Sequence, residues 1–166
     1  MKNIKFLWIG IGACLVLILY MFLYEDKIAY VESTRLFQEY KGAKAERERL
    51  EVRTNEFKLN IDTLNREIQE AIIQYDGQEG AEGKQIVQLK QKQLEDYRQS
   101  VQTTLEKEEA AAMSKVTEEL NSFLKAYGKR KRYKFILIAN PSGTIAYAQE
   151  GTNITDDVIK EINSGI

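Results

Sequence analysis

The chain of 166 residues has no histidine, a single cysteine and a single proline. Without histidine, Ser-His-Asp and Cys-His catalytic arrangements are impossible, and metal sites built on imidazole are excluded. The lone cysteine, Cys14, cannot form a disulfide within the chain. With one proline there is little to break a helix. The composition therefore favours an extended helical protein with no enzymatic activity, cofactor or metal ion.

A net charge is also nearly absent. The 24 basic and 25 acidic residues leave a net charge of −1, so no overall field favours binding to nucleic acid. The charges are nevertheless unevenly distributed, with 8 basic and 11 acidic residues over 35–82, against 11 basic and 7 acidic residues over 83–132. Opposite net charges suit two segments that pair with each other, although exposed ion pairs contribute little individually.

Heptads dominate the first of these segments. Apolar residues recur at one seam position, which holds Leu36, Ala43, Leu50, Phe57, Leu64 and Ala71. The other seam position holds Tyr40, Arg47, Thr54, Ile61, Ile68 and Tyr75, of which only Arg47 and Thr54 are polar. This spacing predicts a long helix that packs along another helix.

A second helical pattern follows a glycine-rich segment at 77–83. Its members are Leu94, Tyr97, Val101, Leu105, Ala112, Val116, Leu120, Phe123 and Tyr127, with Glu108 as the polar exception. Three glycines in seven residues disfavour a continuous helix, at about 1 kcal/mol each relative to alanine. We expect an antiparallel coiled-coil hairpin over 35–132, with its tip at 77–83, and with Gly128 and the following basic residues ending the second arm.

The N-terminal segment bears on cellular location. Residues 6–24 carry no charge and are nearly long enough to cross a bilayer as a helix. Lys2 and Lys5 precede the run, which predicts an N-terminus in the cytoplasm and an exported remainder. Because residues 15–28 contain no Ala, Gly or Ser, the small residues that a cleavage site needs, we interpret 1–24 as an uncleaved inner-membrane anchor. The alternatives are a removed signal peptide and lipidation at Cys14, which ends a lipobox-like sequence.

The two ends of the chain predict a small β-rich head. Residues 27–31 read as a strand, and 133–139 and 144–148 read as a β-hairpin around Pro141. Ser33 or Thr34 suits the N-cap of the first arm, and Thr155 suits that of a last helix with Val158, Ile159 and Ile162 on its apolar side. The head, 25–34 with 133–166, is too small to be stable alone. We expect oligomerisation through Ile28, Tyr30, Phe135, Ile136, Leu137 and Ile138.

The two ends of the exported part carry distinctive sequences. The first is 27–31 (KIAYV) followed by 36–40 (LFQEY). The second is 133–138 (YKFILI), 145–147 (IAY) and 153–159 (NITDDVI). These two sets resemble the opening and the close of the mature members of the Skp (OmpH-like) family of periplasmic chaperones. The fold class implied is α+β: a helical hairpin projecting from a β-rich trimerisation head, here preceded by one transmembrane helix.

The resemblance also implies a function. Family members are homotrimers whose helical arms enclose unfolded outer-membrane proteins without ATP, which makes this chain a candidate periplasmic holdase. Two features depart from the best-known members, namely the retained anchor and a pI near 5.7. The alternative from another class is a membrane-anchored coiled-coil scaffold subunit of an envelope or secretion complex. A scaffold would bind one or two fixed partners, whereas a chaperone would bind many unrelated clients.

Three further sets of residues are candidate contacts. Val52, Leu59 and Ile73 recur on the first arm away from its seam, with Arg66 at the intervening place, and would contact clients or a neighbouring arm. Tyr75 and Tyr97 lie near the tip as client contacts or as seam residues. Lys129, Arg130, Lys131 and Arg132 would bind lipid phosphates or acidic clients near the membrane, or would complement the helix dipole.

Overall fold

The computed structural model describes residues 27–75, 81–143 and 145–165. Strand β1 (Lys27–Glu32) leads into helices α1 (Ser33–Glu39) and α2 (Lys41–Tyr75). Helix α3 (Ala81–Lys131) returns to strand β2 (Tyr133–Ala139), and helix α4 (Thr155–Asn163) follows. The anchor predicted at 6–24, with Cys14, lies outside these residues. Within them, no helix combines the length and the apolar character that a membrane crossing requires.

Helices α2 and α3 form the antiparallel hairpin that the sequence predicts. Ion pairs link Glu46 to Lys115 near the head and Glu67 to Lys90 near the tip, so the two helices run in opposite directions. At 1.5 Å per residue, the 35 residues of α2 extend about 50 Å. Residues from both predicted seams are buried between the arms, among them Ala43, Ile68, Ala71, Leu94, Val101, Ala112, Val116 and Leu120.

The first arm is not the single helix that the heptads predict. Tyr40 adopts an extended backbone with φ −67° and ψ 124°, and separates α1 from α2. Its hydroxyl donates a hydrogen bond to Glu119 Oε2 at 3.0 Å, and its ring lies beside Gly42, where a Cβ would come within 2.5 Å of ring atoms. Tyr40 thus contacts the other arm at the point where the first arm is interrupted. The seam exception Arg47 is exposed, and donates instead to backbone carbonyls of α1.

The head is built on a parallel pair of strands. Ile28 pairs with Phe135 and Val31 with Ile138, and the helical hairpin is the long crossover that a parallel pair requires. The predicted β-hairpin is wrong, because residues 145–148 do not form a strand. The place beside β1 on its other edge is taken by Asn153, which forms a bridge to Tyr30. Hydrogen bonds from Tyr30 N to Thr152 O and from Ile154 N to Tyr30 O hold it there.

Helix α4 closes the core. Val158 and Ile159 are buried, and Ile162 is partly buried, as predicted. Thr155 is fully buried and accepts a hydrogen bond from Glu32 N at 2.9 Å. The capping predictions were wrong by one or two residues. Helix α1 begins at Ser33 with Glu32 in the cap position, and the side chain that accepts the Thr155 N–H is Asn153.

Two glycines assigned to turns lie inside α3. The helix continues through Gly128 to Lys131 and ends at Arg132, whose φ is 61°. A Cβ on Gly128 would lie 3.2 Å from Ile136 Cδ1, so this glycine lets β2 approach the helix. A Cβ on Gly83 would lie 2.8 Å from Tyr75 Cβ. Both glycines therefore allow close packing, and the described part of α3 already includes 81–83 of the predicted tip.

Candidate functional site

One face of the two-stranded sheet is apolar and open. The register places Ile28 beside Phe135 and Tyr30 beside Leu137 on the same face. Ile28 is 51%, Phe135 55% and Leu137 48% exposed, whereas Ala29 and Val31 on the opposite face are buried. We call Ile28, Tyr30, Phe135 and Leu137 the open sheet face. The structure thus brings together four of the six predicted oligomerisation residues.

The other two predicted oligomerisation residues lie on the opposite face of the sheet. Ile136 packs against the buried core and contacts Gly128 of α3. Ile138 lines a small crevice with Leu36 and Leu124, although part of its side chain stays exposed. Strand β2 is therefore apolar on both faces, as predicted, because one face covers the helices and the other faces outward.

A groove opens between the two arms beside the break at Tyr40. It has a volume of about 570 Å³. Its lining is mainly apolar and comes from both arms. We call it the arm groove, and its residues are Thr34, Phe37, Gln38, Ala43, Glu46, Arg47, Leu50, Glu109, Ala112, Met113 and Val116.

The charged residues of the arm groove differ in their partners. Glu46 is paired with Lys115 at 2.6 Å and with Arg49 at 2.9 Å, and these two cations lower the pKa of the Glu46 carboxyl. Arg47 donates only to carbonyl oxygens, at 2.7 Å to Phe37 and 3.3 Å to Gln38. Because the last carbonyls of a helix lack partners within it, Arg47 completes the end of α1.

A second apolar stripe runs along the outside of α2. Val52 is 59%, Leu59 67% and Ile73 74% exposed, and Arg66 at the intervening place is exposed as well. These side chains point away from the seam. We call Val52, Leu59 and Ile73 the outer stripe. Contact with clients remains a prediction for these residues.

The two tyrosines near the tip make contacts between the arms. Tyr75 packs over Gly83 of α3. Tyr97 meets the ring of Phe57 edge to face at 6.5 Å between centroids, and its hydroxyl accepts a hydrogen bond from Asn60 Nδ2 at 3.0 Å. Both side chains are partly buried. The geometry matches the seam interpretation, and a client contact for either tyrosine remains a prediction.

The basic cluster lies where α3 meets α4. Arg130 is ion-paired with Glu161 of α4, and Lys131 Nζ lies 3.9 Å from the other oxygen of the same carboxylate. Both cations also lie 5.7 Å from the ring centroid of Tyr127. Together with their position at the helix C-terminus, these contacts favour the structural interpretation of the cluster. Binding of lipid phosphates or acidic clients to Lys129 or Arg132 remains a prediction.

The described residues offer several candidate binding surfaces. Over the described ranges, no cluster of carboxylate or thiol side chains could hold a metal ion. The arm groove is the surface that sequence reasoning missed. Met113 and Phe37 belong to neither predicted seam, and nothing in the heptads indicated the break that opens the groove. Gly42, two residues after Tyr40, was the available signal.

Comparison with known proteins gives a consistent family and fold. The family model described as "Outer membrane protein (OmpH-like)" matches residues 27–162. No match was found among curated proteins. A crystal structure from Caulobacter crescentus CB15, of a protein assigned as an OmpH-like outer membrane chaperone, superposes with a TM-score of 0.63 over 86% of each chain. Its sequence is 16% identical, so this likeness establishes the fold alone.

Proposed function

This chain belongs to the OmpH-like family, and we propose from that premise that it is a chaperone for unfolded outer-membrane proteins. The observation that carries the proposal is apolar surface left outside a completed fold. Seam residues such as Ile68 and Val101 are buried between the arms, yet the outer stripe is 59% to 74% exposed along a projecting helix. Apolar side chains that recur on one face of a helix and have no partner within the chain offer anchor points to another polypeptide.

The proposed assembly is a homotrimer formed through the heads. The open sheet face would otherwise leave Ile28, Phe135 and Leu137 about half exposed. In addition, the described residues give β2 a strand partner on one edge only. A head with an uncovered face and a free edge gains stability from copies of itself. Three heads would then set three pairs of arms around a common space.

The proposed mechanism needs no catalytic step. Many weak contacts along the arms would bind the unfolded client and not its folded form. Binding one state suppresses aggregation of that state by mass action, without ATP. Residues 6–24 would hold the trimer on the inner membrane, with the arms in the periplasm.

The test is an aggregation assay on the full chain in lipid nanodiscs. A urea-denatured outer-membrane β-barrel protein is diluted into buffer with or without one trimer equivalent, and light scattering is followed. We expect scattering to fall when the chain is present, and to fall less for the double variant Leu59→Asp and Ile73→Asp. Scattering that the chain leaves unchanged would contradict the proposal.

Crosslinking in cells separates this function from a scaffold. A chaperone is expected to trap many unrelated outer-membrane proteins. Recovery of one or two fixed partners, in constant proportion, would favour a scaffold subunit instead.

A further inference from the structure

We propose that the arm groove binds short apolar segments of an unfolded polypeptide, with an acidic residue of the segment toward Arg47 and a basic residue toward Glu109. The inference rests on the proposed chaperone function and gives it a defined site. The groove would recognise a kind of sequence, namely an apolar core flanked by charges of opposite sign. This is a pattern that unfolded polypeptides often contain.

The groove lies beside the break at Tyr40 in the first arm. Phe37 on α1, Leu50 on α2 and Met113 on α3 line its sides without filling it. The space left is floored by Ala43 and Val116, which are buried. At about 570 Å³, the groove is within the range of roughly 300–1,000 Å³ that ligand sites in proteins usually have.

Met113 forms an adaptable wall of the groove. Its side chain is 59% exposed although it lies beside buried Ala112. Methionine is unbranched and polarizable, and it packs against side chains of many shapes. A site that accepts many unrelated clients needs this property, whereas a site for one ligand does not.

The charges of the groove argue for a polypeptide. Among the described residues, neither Arg47 nor Glu109 forms an ion pair, whereas Glu46 is paired with two cations. The guanidinium of Arg47 has five N–H donors, and its bonds here all go to carbonyl oxygens of α1 and α2. The groove thus presents one cation and one anion without a counter-charge. A polypeptide segment can match both.

An anionic lipid fits this surface poorly. Its acyl chain could occupy the apolar floor, but its headgroup would have to lie near Glu109 as well as Arg47. A lipid site would be expected to carry an excess of cations. The groove has three charged residues, Glu46, Arg47 and Glu109, of which only one is basic.

The first experiment measures binding of a fluorescent peptide to the full chain in nanodiscs by anisotropy. The peptide has an apolar centre, with aspartate at one end and lysine at the other. We expect Met113→Asp to raise its Kd about five- to tenfold, as for a residue central to an interface. The matched control is Leu89→Asp on the same helix, because Leu89 is 68% exposed and lies outside the groove. It should change the Kd less than about twofold.

The second experiment tests the charges. Two further peptides carry the same apolar centre with two aspartates or with two lysines. Wild type should bind the mixed-charge peptide several-fold more tightly than either. Glu109→Gln should remove the preference over the two-aspartate peptide. Arg47→Gln should remove the preference over the two-lysine peptide, and circular dichroism shows whether this variant keeps its helices, because Arg47 also completes α1.

The outcomes separate this inference from the proposed function. If wild type keeps the denatured client soluble while Met113→Asp and Leu89→Asp bind the peptide equally, the groove is not the site and the chaperone function stands. A wild type that fails to prevent client aggregation contradicts the chaperone function itself. A changed oligomer mass for Met113→Asp would overturn the inference by showing that a second copy covers the groove. Met113-dependent binding of anionic vesicles would overturn it in favour of a lipid.

Discussion

The head end and the tip end of the molecule are held together differently. At the head, β1, α1, both arms and α4 surround one buried cluster that includes Val31, Leu36, Leu120, Tyr127 and Val158. Toward the tip, Ile68, Ala71, Leu94 and Val101 are buried only between two helices. A residue in the head therefore touches several elements, whereas one in the distal arms touches one partner helix. Cooperative stability is expected at the head, and easier local opening at the tip.

Ion pairs between the arms do not compensate for the smaller apolar core near the tip. Between the arms, Glu108 lies 3.4 Å from Arg49 and 3.5 Å from Arg53, and Glu67 lies 2.9 Å from Lys90. The basic partners remain substantially exposed, and pairs of this kind contribute little to stability. They do favour one alignment of the arms over a shifted one. The distal arms are thus aligned by charge and held by a narrow apolar seam.

The largest expected effect compares two buried leucines. Leu120→Ala in the head cluster should lower the free energy of unfolding by about 2–5 kcal/mol, since the cavity is surrounded by several elements. Leu94→Ala in the distal seam should cost about 2 kcal/mol or less, because two helices can move together over the gap. Urea unfolding gives both values. Leu120 and Leu94 are 3% and 8% exposed, so burial is closely matched.

Hydrogen exchange locates the same two effects. Leu120→Ala should increase amide exchange across the head and both arms, whereas Leu94→Ala should increase it near the tip alone. Equal losses of stability with the same spread of exchange would mean that the two ends form one cooperative unit. The expected difference in local stability between the head and the tip would then be wrong.

A smaller change in stability is expected for alanine at two glycines. Here the variant near the tip should lose more stability than the variant in the head, which is the reverse of the leucine pair. Alanine gains about 1 kcal/mol over glycine inside a helix. Gly83→Ala should nevertheless be destabilising by about 1 kcal/mol, because its Cβ would lie 2.8 Å from Tyr75 Cβ and the arms must separate. Gly128→Ala should be nearly neutral, since its Cβ would meet only the flexible end of Ile136, at 3.2 Å. Urea midpoints of the two variants test this order, which a more stable Gly83→Ala would contradict.

The smallest effect is a pH dependence confined to the head. Burial, helped by the hydrogen bond to Glu119, raises the pKa of Tyr40, and burial raises the pKa of Tyr127. A raised folded pKa gives stability that is complete below the unfolded tyrosine pKa of about 10 and is lost as the pH rises through the folded value. Head stability should therefore fall above about pH 10.

Variants of these tyrosines sharpen that expectation. Tyr40→Phe should cost about 1 kcal/mol at neutral pH, because Glu119 loses its donor. Together with Tyr127→Phe it should also flatten the alkaline decline measured by urea unfolding. If the free energy of unfolding falls just as much at alkaline pH in the double variant, the decline arises from other titrating groups.

Much of the architecture could be predicted because it depends on local periodicity. The seams, the span of β2 and the apolar side of α4 all follow from spacing along the chain. The strand predicted at 144–148 was wrong because strand pairing is decided between distant segments. Among the described residues no strand adds to the outer edge of β2, and the chain crosses instead to the far edge of β1, where Asn153 bridges to Tyr30. The glycines misled for a related reason, since Gly83 and Gly128 each lie against a side chain of another element and not in a turn.

The candidate surfaces also divide into one that local spacing predicts and others that depend on contacts between distant residues. Exposure of the outer stripe was predictable, because residues seven apart on a helix share a face that the seam does not use. The division of the six head residues between two faces required the register of β1 and β2. The arm groove lies beside the break at Tyr40, a residue whose hydroxyl donates to Glu119, 79 residues away.

The sequence by itself determined a helical hairpin with two apolar seams, terminal segments that meet, and no histidine for catalysis or metal binding. Those features arise from residue type and from spacing within a turn or a heptad, which are local. Only the tertiary structure decided the parallel pairing of β1 with β2, the break in the first arm and the groove beside it. Each of these depends on contacts between residues far apart in the chain, and the free energies of such contacts are set by the packed structure as a whole.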